Sequence, residues 1–183
     1  VAVPAAPGVA ADAPPGGSIP LALSPDRRRL YAAERSNPYL LASYDLAADT
    51  GLLSLAATAP LPASMAYLST DAAGRRLWAA SYPQSLITEG DIDADGKVRA
   101  APRRTVPTPP HAHCVRPDPR GRFLYATSLG GDAVLCWRLG PSGLDQASEV
   151  VTGLHQGAGP RHAVFAAGGE RLYLLNELDA TLV

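Results

Sequence analysis

"DPRGRFLYATSLG", residues 118–130, decides how this chain is read, because close versions of it occur three more times. "SPDRRRLYAAERS" spans 24–36, "DAAGRRLWAASYP" 71–83 and "AAGGERLYLLNEL" 166–178. Each is a polar turn, a basic residue, a Leu-aromatic pair and a short apolar run. The aromatics are Tyr31, Trp78, Tyr125 and Tyr173, separated by 47, 47 and 48 residues. A period of this length marks a repeat architecture. A two-helix repeat has a similar period, but the local pattern argues for strands. The runs are short, hold β-branched and aromatic residues, and are punctuated by Gly, Pro, Asp and Asn.

The third repeat divides into four strands, "HAHCVRP", "RFLYATSL", "AVLCWRL" and "LDQASEVV", joined by "DPRG", "GGD" and "GPSG". Four strands in about 45 residues is the size of one propeller blade. The WD and GH signatures of WD40 blades are absent. The expected fold is therefore an all-β propeller of four-stranded blades, of which about three and a half are visible. The repeats are placed near 19–65, 66–111, 112–159 and a truncated 160–183. Residues 1–18 are expected to be extended or to form the last strand of a preceding blade. "ELDATLV" enters a third strand and stops at Val183. A piece of a longer protein is expected, or self-association through an open propeller edge.

Composition bounds the function. The 183 residues are 46% apolar and 18% charged, which suits a globular domain with a core. Net charge is −1, so no nucleic-acid or anionic-membrane partner is advertised. Nearly all the positive charge is arginine; Lys97 is the only lysine. Cys114 and Cys136 have neither the number nor the spacing of a disulfide scaffold or a zinc knuckle. They fit a reduced cytoplasm, the expected location. No apolar run is long enough to span a bilayer. The opening "VAVPAAPGVAADAPPGG" lacks the basic start of a signal peptide.

The repeat register sorts the charged residues. Eleven residues before Leu124 is His113, and eleven before Leu172 is Arg161; the matching residues are Ile19 and Ala66. This position opens the first strand of a blade, the innermost one, which lines the central channel. An arginine in front of a buried strand is costly unless something pairs with it. Glu177, five residues past Leu172, ends the returning second strand and is the expected partner. Its equivalents are Arg35, Tyr82 and Leu129. His, Arg and Glu converging on a channel form a credible acid–base and oxyanion constellation. An ion pair that only staples two strands reads the same residues equally well.

Other motifs carry less. "HAHC" presents His111 and His113 at alternate positions, but no third metal ligand is near, so no metal is expected. His162 alternates with Arg161 and is expected to point into the blade. Asp132 and Asp179 read as turn caps. "DIDADG", 91–96, opens like a calcium loop, but Pro102 stands where the twelfth-position Glu is needed. Its phase makes it the turn between third and fourth strands.

At these residues the chain resembles a known family. "PHAHCVRPDPRGRFLYATSLGGD" (110–132), "GAGPRHAVF" (157–165) and "LLNELD" (174–179) are similar to segments of the seven-bladed propeller lactonases. That family includes bacterial propeller-type 6-phosphogluconolactonases and the fungal carboxy-muconate lactonizing enzyme. The resemblance implies seven blades and hydrolysis of a small-molecule lactone, or its reverse, with no metal and no organic cofactor. For the phosphogluconolactonase members the substrate is 6-phospho-D-glucono-1,5-lactone. It places the catalytic groups on His113, Arg161 and Glu177; His111, His162 and Asn176, next to them in these segments, are the expected substrate contacts. A muconate-type cyclase, in which Arg161 holds a carboxylate, and a non-catalytic binding platform are the alternatives. About half the family's ring is missing, and "SYPQSLITEGDIDADGKV" is a poor match to a regular third strand.

Overall fold

A computed structural model of the chain describes residues 18–183. The expectation for the N-terminal segment falls almost wholly outside them. Every regular element among the described residues is a strand. The first sheet holds β1 (Leu21–Leu23), β2 (Arg29–Ala33), β3 (Leu40–Leu46) and β4 (Leu53–Pro60). The second holds β5 (Tyr67–Thr70), β6 (Arg76–Ser81), β7 (Leu86–Asp91) and β8 (Arg104–Pro107). The third holds β9 (Ala112–Pro117), β10 (Phe123–Ser128), β11 (Ala133–Gly140) and β12 (Gly143–Gly153). β13 (Pro160–Phe165) and β14 (Leu172–Asn176) make a two-stranded sheet, extended by a bridge from Leu175 to Leu182. Each sheet is an antiparallel meander in chain order. The first strands β1, β5, β9 and β13 lie against one another in succession, forming the inner edge of a partial propeller.

The repeated turn explains itself locally. Asp71 Oδ1 accepts the amide protons of Arg75 and Arg76, and Asp118 Oδ1 those of Arg122 and Phe123. Gly74 and Gly121, three residues after each Asp, take φ of +64° and +66°. Asp closes the turn with its side chain and Gly supplies the left-handed residue, which is why D-x-x-G recurs.

The core lies between sheets, and the Leu-aromatic pairs build it. Tyr31 packs with Leu68 and Leu77 of the second sheet. Trp78 packs with Val115 and Leu124 of the third. Tyr125 meets Phe165 of the fourth edge-on, with centroids 5.5 Å apart. No sheet among the described residues covers Tyr173, which stays 38% exposed, as do Val164, Leu175 and Leu182 in larger measure. Each aromatic is thus half of an interface that the next repeat completes.

The second sheet differs from expectation. β7 is a regular six-residue strand paired with both β6 and β8. "DIDADG" forms the β7–β8 turn, where Asp93 Oδ1 accepts the amides of Asp95 and Lys97, and Arg99 pairs with Asp93 and Asp95. Glu89 on β7 is 1% exposed and joins the second sheet to the third. It faces Arg76 at 3.7 Å and Arg104 at 3.3 Å, and accepts the Leu144 amide at 3.2 Å. Gly143 must be glycine there: a Cβ would stand 2.3 Å from the Glu89 carboxylate, and its φ is +97°.

Candidate active site

Two bulges build the site. Along β9 and β10, Thr127 pairs with Cys114 and Ser128 with Ala112, so the ladder steps over His113. Along β13 and β14, Pro160 pairs with Asn176 and His162 with Leu175, so it steps over Arg161. The unpaired residue is the same one in consecutive blades. A bulge re-aims side chains at a sheet edge, and here it turns both into the channel.

They line one open cavity of about 490 Å³ with Ile19, Ala66, Arg35, Tyr82, Leu129 and Glu177. These are the two register positions of all four repeats. The volume suits a small molecule. His162 and Tyr67 also line it. The alternation argument had sent His162 into the blade; the bulge shifts the phase by one residue, so His162 joins Arg161 in the cavity.

Arg161 Nη1 donates to Glu177 Oε2 at 2.5 Å. Neither is buried: the side chains are 43% and 42% exposed, so the anticipated burial cost does not arise. The pair stands at the cavity wall, within reach of a ligand. Arg161 Nε and His113 Nδ1 are shielded from solvent and have no hydrogen-bond partner among the described residues. The rings of His113 and His162 meet edge-on at 5.0 Å, and Tyr67 lies 5.8 Å beyond His162. Burial, then the charge of Arg161 and then His162, pull the His113 pKa down to about 4, against a smaller opposing pull from Glu177. His162 is lowered as well, first by burial and then by Arg161. Burial pushes the Tyr67 phenol up to about 12. At neutral pH both imidazoles and the phenol are uncharged.

Two of the six residues expected at the site lie elsewhere. His111 precedes β9 with φ of +65° and stacks flat on Tyr82, centroids 4.3 Å apart. The ring of His113 meets the same tyrosine edge-on at 6.0 Å, but of the two histidines His113 alone lines the cavity. Asn176 is 1% exposed and turns inward, its amide donating to Thr181 Oγ1 at 3.0 Å.

Other residues hold the site without having been singled out. Thr127 Oγ1 accepts the Cys114 amide at 3.1 Å and donates to the Arg161 carbonyl at 2.9 Å. Asp132 was read as a turn cap, yet it clamps the next blade's loop, accepting the amides of Gly157 and Gly159 at 2.8 Å each. Those amides lower its carboxyl pKa. The Gly159 carbonyl in turn accepts the Glu177 amide at 2.8 Å, so one glycine ties the backbones that present Arg161 and Glu177. Arg35 and Tyr82 were visible in the register as counterparts of Glu177, and Tyr67 as the counterpart of His162.

Repeated four-stranded sheets around a channel, with a guanidinium–carboxylate pair and a neutral imidazole at one mouth, define an enzyme-like β-propeller. Comparison with known proteins makes this specific: a family profile described as "Lactonase, 7-bladed beta-propeller" matches residues 10–183, and the chain belongs to that family. It is 34% identical over 169 residues to the 6-phosphogluconolactonases of Yersinia pestis (strain Pestoides F) and Sodalis glossinidius. Each match covers 92% of this chain and 50% of the relative. The chain thus spans about half the length of the curated relatives it matches. The periplasmic gluconolactonase PpgL of Pseudomonas aeruginosa superimposes with a TM-score of 0.80 at 26% identity, covering 90% of this chain and 52% of PpgL. No helix among the described residues is long and apolar enough to cross a membrane.

Proposed function

We propose that the cavity hydrolyses a sugar lactone, with 6-phospho-D-glucono-1,5-lactone going to 6-phosphogluconate. The carrying observation is the Arg161–Glu177 pair beside a neutral His113 on one cavity wall. The names of the similar proteins support this reading over the muconate-type cyclase or a binding platform. The guanidinium of Arg161 is a cationic donor and suits the carbonyl oxygen, whose negative charge grows as water attacks. His113, being neutral, accepts the proton of the attacking water. The new C–O bond gives a tetrahedral intermediate. Its collapse breaks the ring C–O bond, and imidazolium returns the proton to the departing ring oxygen. Glu177, already engaged by Arg161, aims the guanidinium.

Replacing His113, Arg161 and Glu177 singly by Gln, with lactone turnover as readout, tests the assignment. Loss of a general base costs on the order of 10²–10⁴ in rate and loss of an oxyanion donor about 10²–10³. Three variants with wild-type turnover would sink it. The two unpaired thiols suit a reducing compartment, so we read the protein as cytoplasmic. Fractionation checks this, PpgL being periplasmic. The exposed apolar side chains of the last sheet favour self-association, measurable by sedimentation.

A further inference from the structure

Arg35 is the charged cavity residue that the reaction above leaves unused. It occupies in the first blade the place that Glu177 holds in the fourth. Its Nε donates to Ser64 Oγ at 3.3 Å and its Nη1 to the Ser18 carbonyl at 3.2 Å. Both acceptors are neutral, and no carboxylate pairs with Arg35 among the described residues. Adjacent Glu34 is engaged elsewhere: its Oε1 accepts the Arg35 and Ser36 amides and the Ser36 hydroxyl. Arg35 Nη2 donates to nothing among the described residues.

The charges in the cavity follow. Arg161 and Glu177 cancel, and His113 and His162 are neutral at pH 7. Among the described residues that line the cavity, what remains is the positive charge of Arg35. Its two hydrogen bonds engage Nε and Nη1 and hold the guanidinium in place, leaving Nη2 to donate to an oxyanion. Arg35 and Arg161 line the same cavity from the first and the fourth blade, so a ligand held at Arg161 by its carbonyl has Arg35 on the opposite wall for its other end.

We propose that Arg35 docks an anionic substituent, a phosphate monoester or a carboxylate, at the end of the sugar remote from the lactone carbonyl. The cavity then selects charged lactones over neutral ones. This rests on the lactonase reading in one respect, that Arg161 is reserved for the carbonyl. Binding energy from a non-reacting group of this kind positions the reacting one.

The test compares wild type, Arg35→Gln and Arg35→Lys on 6-phosphoglucono-1,5-lactone and glucono-1,5-lactone. Calorimetry in parallel measures binding of 6-phosphogluconate, gluconate and the dicarboxylate glucarate. The expected result is a preference for the phosphorylated lactone that falls on the order of ten- to a hundredfold in the Gln variant, the worth of a charge-assisted hydrogen bond. The Lys variant recovers part of it. A wild-type preference retained in Arg35→Gln overturns the proposal, as does equal loss on both lactones. If neither lactone is turned over, the lactonase reading fails while the binding arm still decides Arg35. A margin for 6-phosphogluconate over gluconate that vanishes in Arg35→Gln upholds docking, and its absence in wild type refutes it. Tighter binding of 6-phosphogluconate than of glucarate identifies phosphate as the docked group, and the reverse identifies carboxylate.

Discussion

The Thr127 hydroxyl donates to the Arg161 carbonyl at 2.9 Å while accepting the Cys114 amide at 3.1 Å. One side chain thus closes the gap left by the third blade's bulge and seats that of the fourth. Thr127 is fully buried, so both backbone groups depend on it. Thr127→Val keeps the shape and removes both hydrogen bonds. Urea titration should show a loss of about 1–3 kcal/mol, the cost of unsatisfied buried polar groups. Thr127→Ser should recover most of it. Wild-type stability in the Val variant would mean that the two bulges are held by other contacts.

Gly159 should tolerate a methyl group worse than Gly157, although both have positive φ, +61° and +82°. Each Ala variant bears the strain of a left-handed residue, about 1–2 kcal/mol. Only at Gly159 would the Cβ also meet a side chain, 2.5 Å from Leu178 Cγ, whereas nothing lies within 4 Å at Gly157. Gly159 also joins Asp132 to Glu177 through its amide and carbonyl. Gly159→Ala should therefore lower kcat/KM for lactone more than Gly157→Ala, and Asp132→Ala should resemble it. Equal behaviour of the two glycine variants would deny the clamp a part in placing Arg161.

The repeat register made the propeller and the cavity positions legible, because the same turn and the same interface recur at each step. Asp71 and Asp118 show this directly: identical backbone demands select identical residues. The facing of His162 was not legible. Strand alternation is a local rule, and a single unpaired residue, Arg161, reverses it downstream. His111 was misplaced for a related reason, since its left-handed backbone breaks the alternation that would have put it beside His113. Thr127 and Asp132 act across blades, on partners 34 and 27 residues away. A threonine in a strand and an aspartate in a turn carry no sequence mark of such reach.

Glu89 should be among the costliest side chains to remove at the junction of the second and third blades. It is 1% exposed, against 19% for Arg76 and 31% for Arg104. Breaking a buried pair costs about 3–5 kcal/mol. Partial exposure of the arginines puts Glu89→Ala near the lower end, about 3 kcal/mol. Two guanidiniums would then face each other without a carboxylate, so added salt should return part of the loss by screening. Glu89→Gln keeps an acceptor for the Leu144 amide and should cost less. A negligible change in Glu89→Ala would show that water enters the junction and solvates the arginines.

Acid should weaken the fold in a window set by His113. In the unfolded chain this histidine takes up its proton near pH 6.5. In the folded chain burial, Arg161 and His162 hold its pKa down to about 4. Between those values the unfolded state binds more protons, so stability falls as pH drops from about 6.5 through about 4. His162 pushes the same way. Above the window His113 is neutral in both states, and below it charged in both, so it adds no further slope. The melting temperature of His113→Asn should therefore decline less across the window than that of wild type. In the proposed hydrolysis His113 must be neutral to act as the base, so the acid limb of kcat/KM should lie near pH 4 rather than 6.5. An oxyanion bound beside His113 favours the imidazolium and offsets Arg161, which moves the limb of kcat upward from that of kcat/KM. Limbs near pH 6.5 in both profiles would assign proton transfer to a solvent-exposed group in place of His113.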